Sequence, residues 1–271
     1  MLDFNNTRIA FASKSGPELR NAYLLFSVMK RPGIVRLGKW ACNIFLKIHF
    51  PLAWIVKPTL YKQFVGGETL DDCAKHIGSL RHSGVKSTLD YSAESKQTAE
   101  GIRATLEETL RSVDFAAGNP DIAYAVFKPS TITTDELLAK VSEKTGELSI
   151  TEIKEFREFR ERFMLLCERA YNNGVRILVD AEDYSFQDAI DELTDEAMRR
   201  FNKDRAIVFA TLQMYRHDRM PYLHRIYDDA VEKGYYPGIK FVRGAYMEEE
   251  RKRAGAMGYP DPICKDKQAT D

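Results

Sequence analysis

The sequence predicts an α/β fold of repeated strand–helix units, closed into a barrel and preceded by a helical arm. Three observations carry this expectation. From residue 85 onward, short β-rich apolar runs alternate with long amphipathic segments, which is the pattern of α/β architecture. These runs begin at Ser87, Ile122, Val175, Ala206 and Gly238, about 38 residues apart on average. None leads into G-x-G-x-x-G or a phosphate loop, so the dinucleotide-binding open sheet lacks its fingerprint. Each run instead meets a polar or charged residue near its C-terminal end, the rim on which barrels assemble their sites.

Residues 1–84 read as the arm. Helical patches from Pro17 to Gly67 are punctuated by Pro32-Gly33, Pro51 and Pro58 and closed by Gly66-Gly67. Thr69, with Asp72 three residues on as capping partner, starts a short helix with Leu70, Cys73, Ile77 and Leu80 at helical spacing, and Ser83-Gly84 closes it. Residues 85–271 read as the barrel, about five of eight units, with strands at 87–91, 122–128, 175–180, 206–213 and 238–242. The helices between them show apolar stripes. Ala99, Ile102, Leu106, Leu110 and Val113 form one; Ile153, Phe156, Phe159, Phe163, Cys167 and Ala170 a second; Phe186, Ile190, Leu193, Ala197 and Phe201 a third. Gly118-Asn119-Pro120, Asn173-Gly174 and Lys233-Gly234 are stop signals that hand the chain to the next strand.

Composition narrows the function. Forty Lys and Arg balance forty Asp and Glu, so no net field steers the protein to nucleic acid. The four cysteines form no C-x-x-C pair, which argues against a zinc site or a disulfide framework and for a reducing, cytoplasmic setting. The most apolar stretch, 40–56, is broken by Lys47, His49 and Pro51. It is unfit to span a bilayer and suited at most to rest on a membrane surface.

The rim candidates are Asp90, Lys128, Asp180 with Glu182, Gln213, and Lys240 with Arg243. Asp180-Ala181-Glu182-Asp183 sets three carboxylates in four residues, and helix capping near Ser185 competes for Glu182 and Asp183. Lys128, stopped by Pro129, suits a substrate carboxylate or a pairing with Asp180, against an ordinary lysine reaching solvent. Gln213 suits a polar heterocycle, with a structural glutamine as the competing reading. In Lys240-Phe241-Val242-Arg243-Gly244-Ala245-Tyr246, two cations flank an apolar pair before two small residues. That arrangement suits a ring that gains electron density, against rim salt bridges to Glu248, Glu249 and Glu250. His217 and His224, seven apart on one expected helix, offer no metal pair, and no metal ligand is assigned.

Taken in order, Leu89-Asp90-Tyr91-Ser92, Phe127-Lys128-Pro129-Ser130, Leu178-Val179-Asp180-Ala181-Glu182, Leu212-Gln213-Met214-Tyr215 and Val242-Arg243-Gly244-Ala245-Tyr246 resemble the strand-end motifs of the proline dehydrogenase family. The resemblance implies a distorted (βα)8 barrel holding FAD, oxidation of L-proline to pyrroline-5-carboxylate, electrons passed to a quinone, and peripheral contact with the inner face of a membrane. It implies Asp180 and Lys240 as catalytic residues, Lys128 and Tyr246 at the substrate, and Ala181, Gln213, Arg243, Gly244 and Ala245 along the flavin. Lys240 falls where some members carry arginine, keeping the charge without the planar fork. The family's helix with a tyrosine and paired arginines is expected beyond Asp271. Two other readings stay open: a metal-assisted barrel lyase with Asp180 and Glu182 as ligands, and an inactive scaffold.

Overall fold

The structure is a computed structural model and describes residues 5–48, 51–91, 97–144 and 146–271; His49 and Ser92 of the segments above lie outside the described residues. The chain divides into two compact units, Met1–Val85 and Lys86–Asp271.

The first unit is helical: α1 Thr7–Ala10, α2 Gly16–Met29, α3 Pro32–Lys47, α4 Ala53–Val56, a π-helical turn Lys57–Tyr61, α5 Lys62–Phe64 and α6 Leu70–Arg81. Local chemistry sets its boundaries. Ser15 N donates to Glu18 Oε2 at 2.9 Å ahead of α2, Pro32 occupies the first turn of α3, and Thr69 Oγ1 accepts from Asp72 N at 3.2 Å to start α6.

The second unit carries five parallel strands, β1 Ser87–Asp90, β2 Ile122–Phe127, β3 Ile177–Val179, β4 Val208–Gln213 and β5 Ile239–Val242, in the spatial order β1-β2-β3-β4-β5. This order settles the architecture. An open doubly wound sheet reverses direction at a switch point, whereas here each new strand adds on the same side, as in a barrel. The helices are α7 Ala99–Ala117, α8 Asp135–Glu143, α9 Ile150–Asn173, α10 Tyr184–Phe201, α11 Arg219–Lys233, α12 Met247–Met257 and α13 Lys267–Thr270.

Three details differ from the sequence expectation. Between β2 and β3 stand a 3-10 turn, Pro129–Ile132, and α8 as well as α9, so the rim continues into an extra helix that no stripe announced. On α7 the buried face is Ile102, Thr105, Thr109, Ser112, Val113 and Ala116, while Leu106 and Leu110 are only half-buried. Its hydroxyls can be buried because the helix satisfies them itself: Thr109 Oγ1 donates to Thr105 O at 2.8 Å and Ser112 Oγ to Glu108 O at 3.0 Å. His217 precedes α11 and does not share it with His224; its Nε2 lies 2.9 Å from Asp261 O.

The core lies between the sheet and its helices. Phe159, Phe163, Leu166 and Cys167 of α9 are fully buried, and Phe163 meets Phe127 of β2 edge-on at 5.2 Å. Each such phenylalanine or leucine contributes about 2 kcal/mol by leaving water. Ile153, at the head of the same stripe, is exposed.

Candidate active site

Register brings the rim residues together. Phe127 is level with Val179, Val179 with Ala210, and Ala210 with Ile239. Thr211 is level with Lys240, and Asp180 N donates to Phe127 O at 3.0 Å, so the ladder continues one step further. Lys128, Asp180, Thr211 and Lys240 therefore form one row across four neighbouring strands. Because side chains alternate with period two, all four share a face of the sheet. Lys240 is thus the second residue of β5, not a residue beyond its end.

The row carries its own pairing. Lys240 Nζ donates to Asp180 Oδ1 at 2.6 Å, both side chains remaining partly open to solvent. Asp180 therefore pairs with Lys240 and not with Lys128, and Arg243 pairs with Asp271 at 2.6 Å, not with the glutamates of α12. Thr211 Oγ1, between the two ends of the ion pair, is buried with no partner.

Behind the row runs a belt of hydrogen bonds. Ser130 N donates to Glu182 Oε1 at 2.7 Å and Ser130 Oγ to Glu182 Oε2. Gln213 Nε2 donates to Glu182 O at 2.7 Å, while Gln213 Oε1 accepts Ala245 N at 3.0 Å and the Tyr215 hydroxyl at 3.3 Å. Tyr215 Oη in turn accepts Tyr246 N at 3.2 Å. The segments that follow β2, β3, β4 and β5 are fastened in series. Glu182 is turned to Ser130 and caps no helix; Asp183 does so, accepting Ser185 N at 2.9 Å. Burial pushes the Glu182 carboxyl up to about 7, against the pull of Ser130 and Lys128. Gln213 is buried with both ends of its amide committed to protein groups.

Gly244 shows how tightly the rim is drawn. Its φ is +143°, and a Cβ there would fall 1.0 Å from Tyr215 Cε1, so the tyrosine ring fills the space of the missing side chain. Arg243 and Ala245 are exposed, Ala181 is half-buried, and Tyr246 is half-buried at the start of α12. Burial, with the Glu182 and Asp180 charges adding to it, lifts the Tyr246 hydroxyl to about 12.

Asp180 and Glu182, the two carboxylates a divalent ion would draw on, take separate partners, and among the described residues no three His, Cys, Asp or Glu side chains gather. A cleft lined by Ala117, Asn119, Ile122, Asn173 and Arg205 lies at the opposite, N-terminal ends of the strands, where barrels do not build their sites. Asp90 sits two residues below the row, level with Val126.

A family model described as proline dehydrogenase matches residues 73–271. The chain belongs to the proline dehydrogenase family. Among curated members and relatives, the chain is 32% identical over 194 residues to the carbapenem antibiotics biosynthesis protein CarD of Pectobacterium carotovorum subsp. carotovorum, covering 72% of this chain and 51% of that one. It is 27% identical over 309 residues to proline dehydrogenase 1, mitochondrial, of Dictyostelium discoideum, covering 99% and 54%. Proline utilization A (PutA) from Bdellovibrio bacteriovorus, solved after inactivation by N-propargylglycine, superposes with a TM-score of 0.70 at 17% identity, over 98% of this chain and 28% of that one. At that identity the likeness speaks for the barrel fold. The chain spans about half the length of these curated relatives.

Thr211, Ser130, Tyr215 and Glu250 were not singled out from the sequence. Thr211 and Ser130 each lie two residues from a chosen rim residue, Gln213 and Lys128, but sequence alone does not show that they belong with it. Glu250, fully buried on a helix that begins with three glutamates, left no signal.

Proposed function

We propose that this chain, a helical arm and five barrel strands, belongs to an FAD-dependent enzyme that oxidises L-proline to pyrroline-5-carboxylate and passes the electrons to a quinone. The observation that carries the reading is the row Lys128, Asp180, Thr211, Lys240 on one face at the strand ends of a proline dehydrogenase family barrel. The residues fit a flavin. Thr211 Oγ1 is an orphaned buried hydroxyl in the middle of the row, Lys240 meets a single carboxylate oxygen, and residues 243–245, just after β5, are exposed. When bound, FAD supplies the hydride acceptor, a capacity no side chain has.

The chain's own residues do the rest. Lys128, half-buried at the end of β2, holds the proline carboxylate as a point charge. Asp180, fixed through Oδ1 by Lys240, keeps Oδ2 for the proline nitrogen, which must give up its proton as the ring becomes an imine. Lys240 would place its cation against a bound flavin, where it would favour added negative charge. Tyr246 stays neutral at ordinary pH and closes the substrate side, while Ala181, Gln213, Arg243, Gly244 and Ala245 shape the flavin side.

The test is a comparison of Lys240→Ala with Lys252→Ala, an exposed lysine on α12. Lys240→Ala is expected to lower proline-dependent turnover on the order of 100-fold, and Lys252→Ala to leave it within about twofold. Equal effects would refute the site. Asp180→Ala should lose turnover with thermal stability retained; a stability loss with turnover spared would make Asp180 structural.

No helix among the described residues is long and apolar enough to cross a membrane. Peripheral contact belongs to the proposal because, between Glu18 and Glu68, the sequence holds eight Lys and Arg and no Asp or Glu. On α3, Arg36, Lys39, Asn43 and Lys47 recur at helical spacing, while Leu37, Trp40 and Leu46 are exposed. Both tryptophans, Trp40 and Trp54, lie in this unit, so selectively excited tryptophan emission reports on it alone. Vesicles containing phosphatidylglycerol should shift the emission to the blue and pure phosphatidylcholine vesicles should not. No shift with either would count against contact.

A further inference from the structure

Glu248, Glu249 and Glu250 open α12, yet they face different surroundings: the first two are exposed and Glu250 is fully buried. Neither oxygen of the Glu250 carboxyl has a hydrogen-bond partner. The groups that face it are the Tyr215 hydroxyl and the Arg216 guanidinium, from the segment after β4, and Asp183 with the Tyr184 amide, from the head of α10. Tyr246 on its own turn feels its charge as well. Arg216 spends Nε and Nη2 on the Asp218 carboxylate at 3.0 and 2.5 Å, with its guanidinium 4.6 Å from the centre of the Tyr184 ring, and its Nη1 is buried without a hydrogen-bond partner. No cation hydrogen-bonds this buried carboxyl, and burial pushes it up to about 7 against the pull of the Arg216 charge.

The Tyr215 hydroxyl has one hydrogen to give. It donates to Gln213 Oε1 over a long 3.3 Å while accepting Tyr246 N at 3.2 Å, and the ring bearing it lies against Gly244. An ionised Glu250 is the stronger acceptor, since a charge-assisted hydrogen bond is about twice as strong as a neutral one.

We propose that Glu250 is a positioning residue whose proton decides which acceptor holds the Tyr215 hydroxyl, and through it how firmly the turn at residues 243–246 is fastened to the belt. With Glu250 neutral, Tyr215 links Gln213 to Tyr246 and the belt is continuous. With Glu250 ionised, the hydroxyl turns to the carboxylate, and Gln213 Oε1 is left holding Ala245 N alone. The proton exchanges with solvent, and no covalent bond other than its own changes. The inference rests on the proposed flavin site only in assigning the turn a ligand.

The experiment is amide hydrogen exchange of the 243–247 peptide, read as the ratio of wild type to Glu250→Gln at pH 6 and pH 8, either side of about 7. The ratio cancels the intrinsic pH dependence of exchange. It should lie near one at pH 6, where both side chains are neutral, and move by roughly threefold or more at pH 8. Tyr215→Phe keeps the ring on Gly244 and removes the shared hydroxyl; it should abolish the difference between the two pH values. A ratio equal at both pH values, or a Tyr215→Phe protein that retains the wild-type pH dependence, would overturn the proposal. FAD affinity measured over the same range separates the two claims: failure to bind flavin counts against the proposed function and leaves the exchange result readable.

Discussion

Gly244→Ala is expected to lower the stability of the barrel unit by about 2 to 6 kcal/mol, combining backbone strain with overpacking. Both costs arise at the same atom. At φ +143° an L side chain is strained, and its Cβ would stand 1.0 Å from Tyr215 Cε1 in a ring that is almost fully buried. The ring cannot retreat without releasing Tyr246 N from its hydroxyl, so flavin retention should fall together with stability. Gly255 provides the control. It lies in α12 with ordinary φ and nothing within 4 Å of a built Cβ, so Gly255→Ala should be neutral or stabilising by up to about 1 kcal/mol. Thermal denaturation of the two variants checks this. A Gly244→Ala protein as stable as Gly255→Ala would show that Tyr215 does not pack on the turn.

Gln213→Leu is expected to have the second largest effect. The change is close in volume, yet it strands Glu182 O, Ala245 N and the Tyr215 hydroxyl. Glu182 and Tyr215 are buried, and each abandoned buried group costs about 1 to 3 kcal/mol, whereas the N–H of exposed Ala245 can turn to water. A total of about 2 to 6 kcal/mol follows from the two buried groups. Denaturant titration reads the stability. Flavin affinity should fall about tenfold or more, corresponding to 1.4 kcal/mol at the turn that Gln213 fastens. A variant with unchanged stability and weakened flavin binding would mean that Gln213 acts on the ligand directly, with the belt incidental.

Much of the barrel unit was legible because its signals are local and periodic. The starts of β1 and β2 fell where expected, and β3, β4 and β5 begin one or two residues later than the apolar runs that announced them. Asn173-Gly174 ends α9 because Gly174 adopts the left-handed φ that only glycine takes without cost. The buried face of α7 was misplaced because hydroxyl residues count as polar in a periodicity, while Thr105, Thr109 and Ser112 satisfy themselves on their own helix. α8 was invisible beside the stronger stripe of α9.

The site was legible as a set of residues at strand ends and illegible as a set of contacts. Which lysine meets Asp180 depends on register across three strands, and sequence spacing does not encode register. Gln213 could be read as polar and rim-proximal, but its two-sided engagement requires knowing that Glu182 O and Ala245 N flank it. Glu250 could not be told from Glu248 and Glu249 by sequence, because only the packing of α12 against the segment after β4 distinguishes them.

On the proposed reading, the row at the strand ends positions proline for oxidation by a bound flavin. The most direct measurement is anaerobic titration of the flavin-loaded protein, expressed from its own gene, with L-proline, following the visible flavin absorbance and the cyclic imine formed. The account predicts that the absorbance bleaches in proportion to one pyrroline-5-carboxylate per flavin, and that Lys240→Ala bleaches far more slowly than Lys252→Ala. A flavin-loaded protein whose absorbance proline leaves unchanged would contradict it.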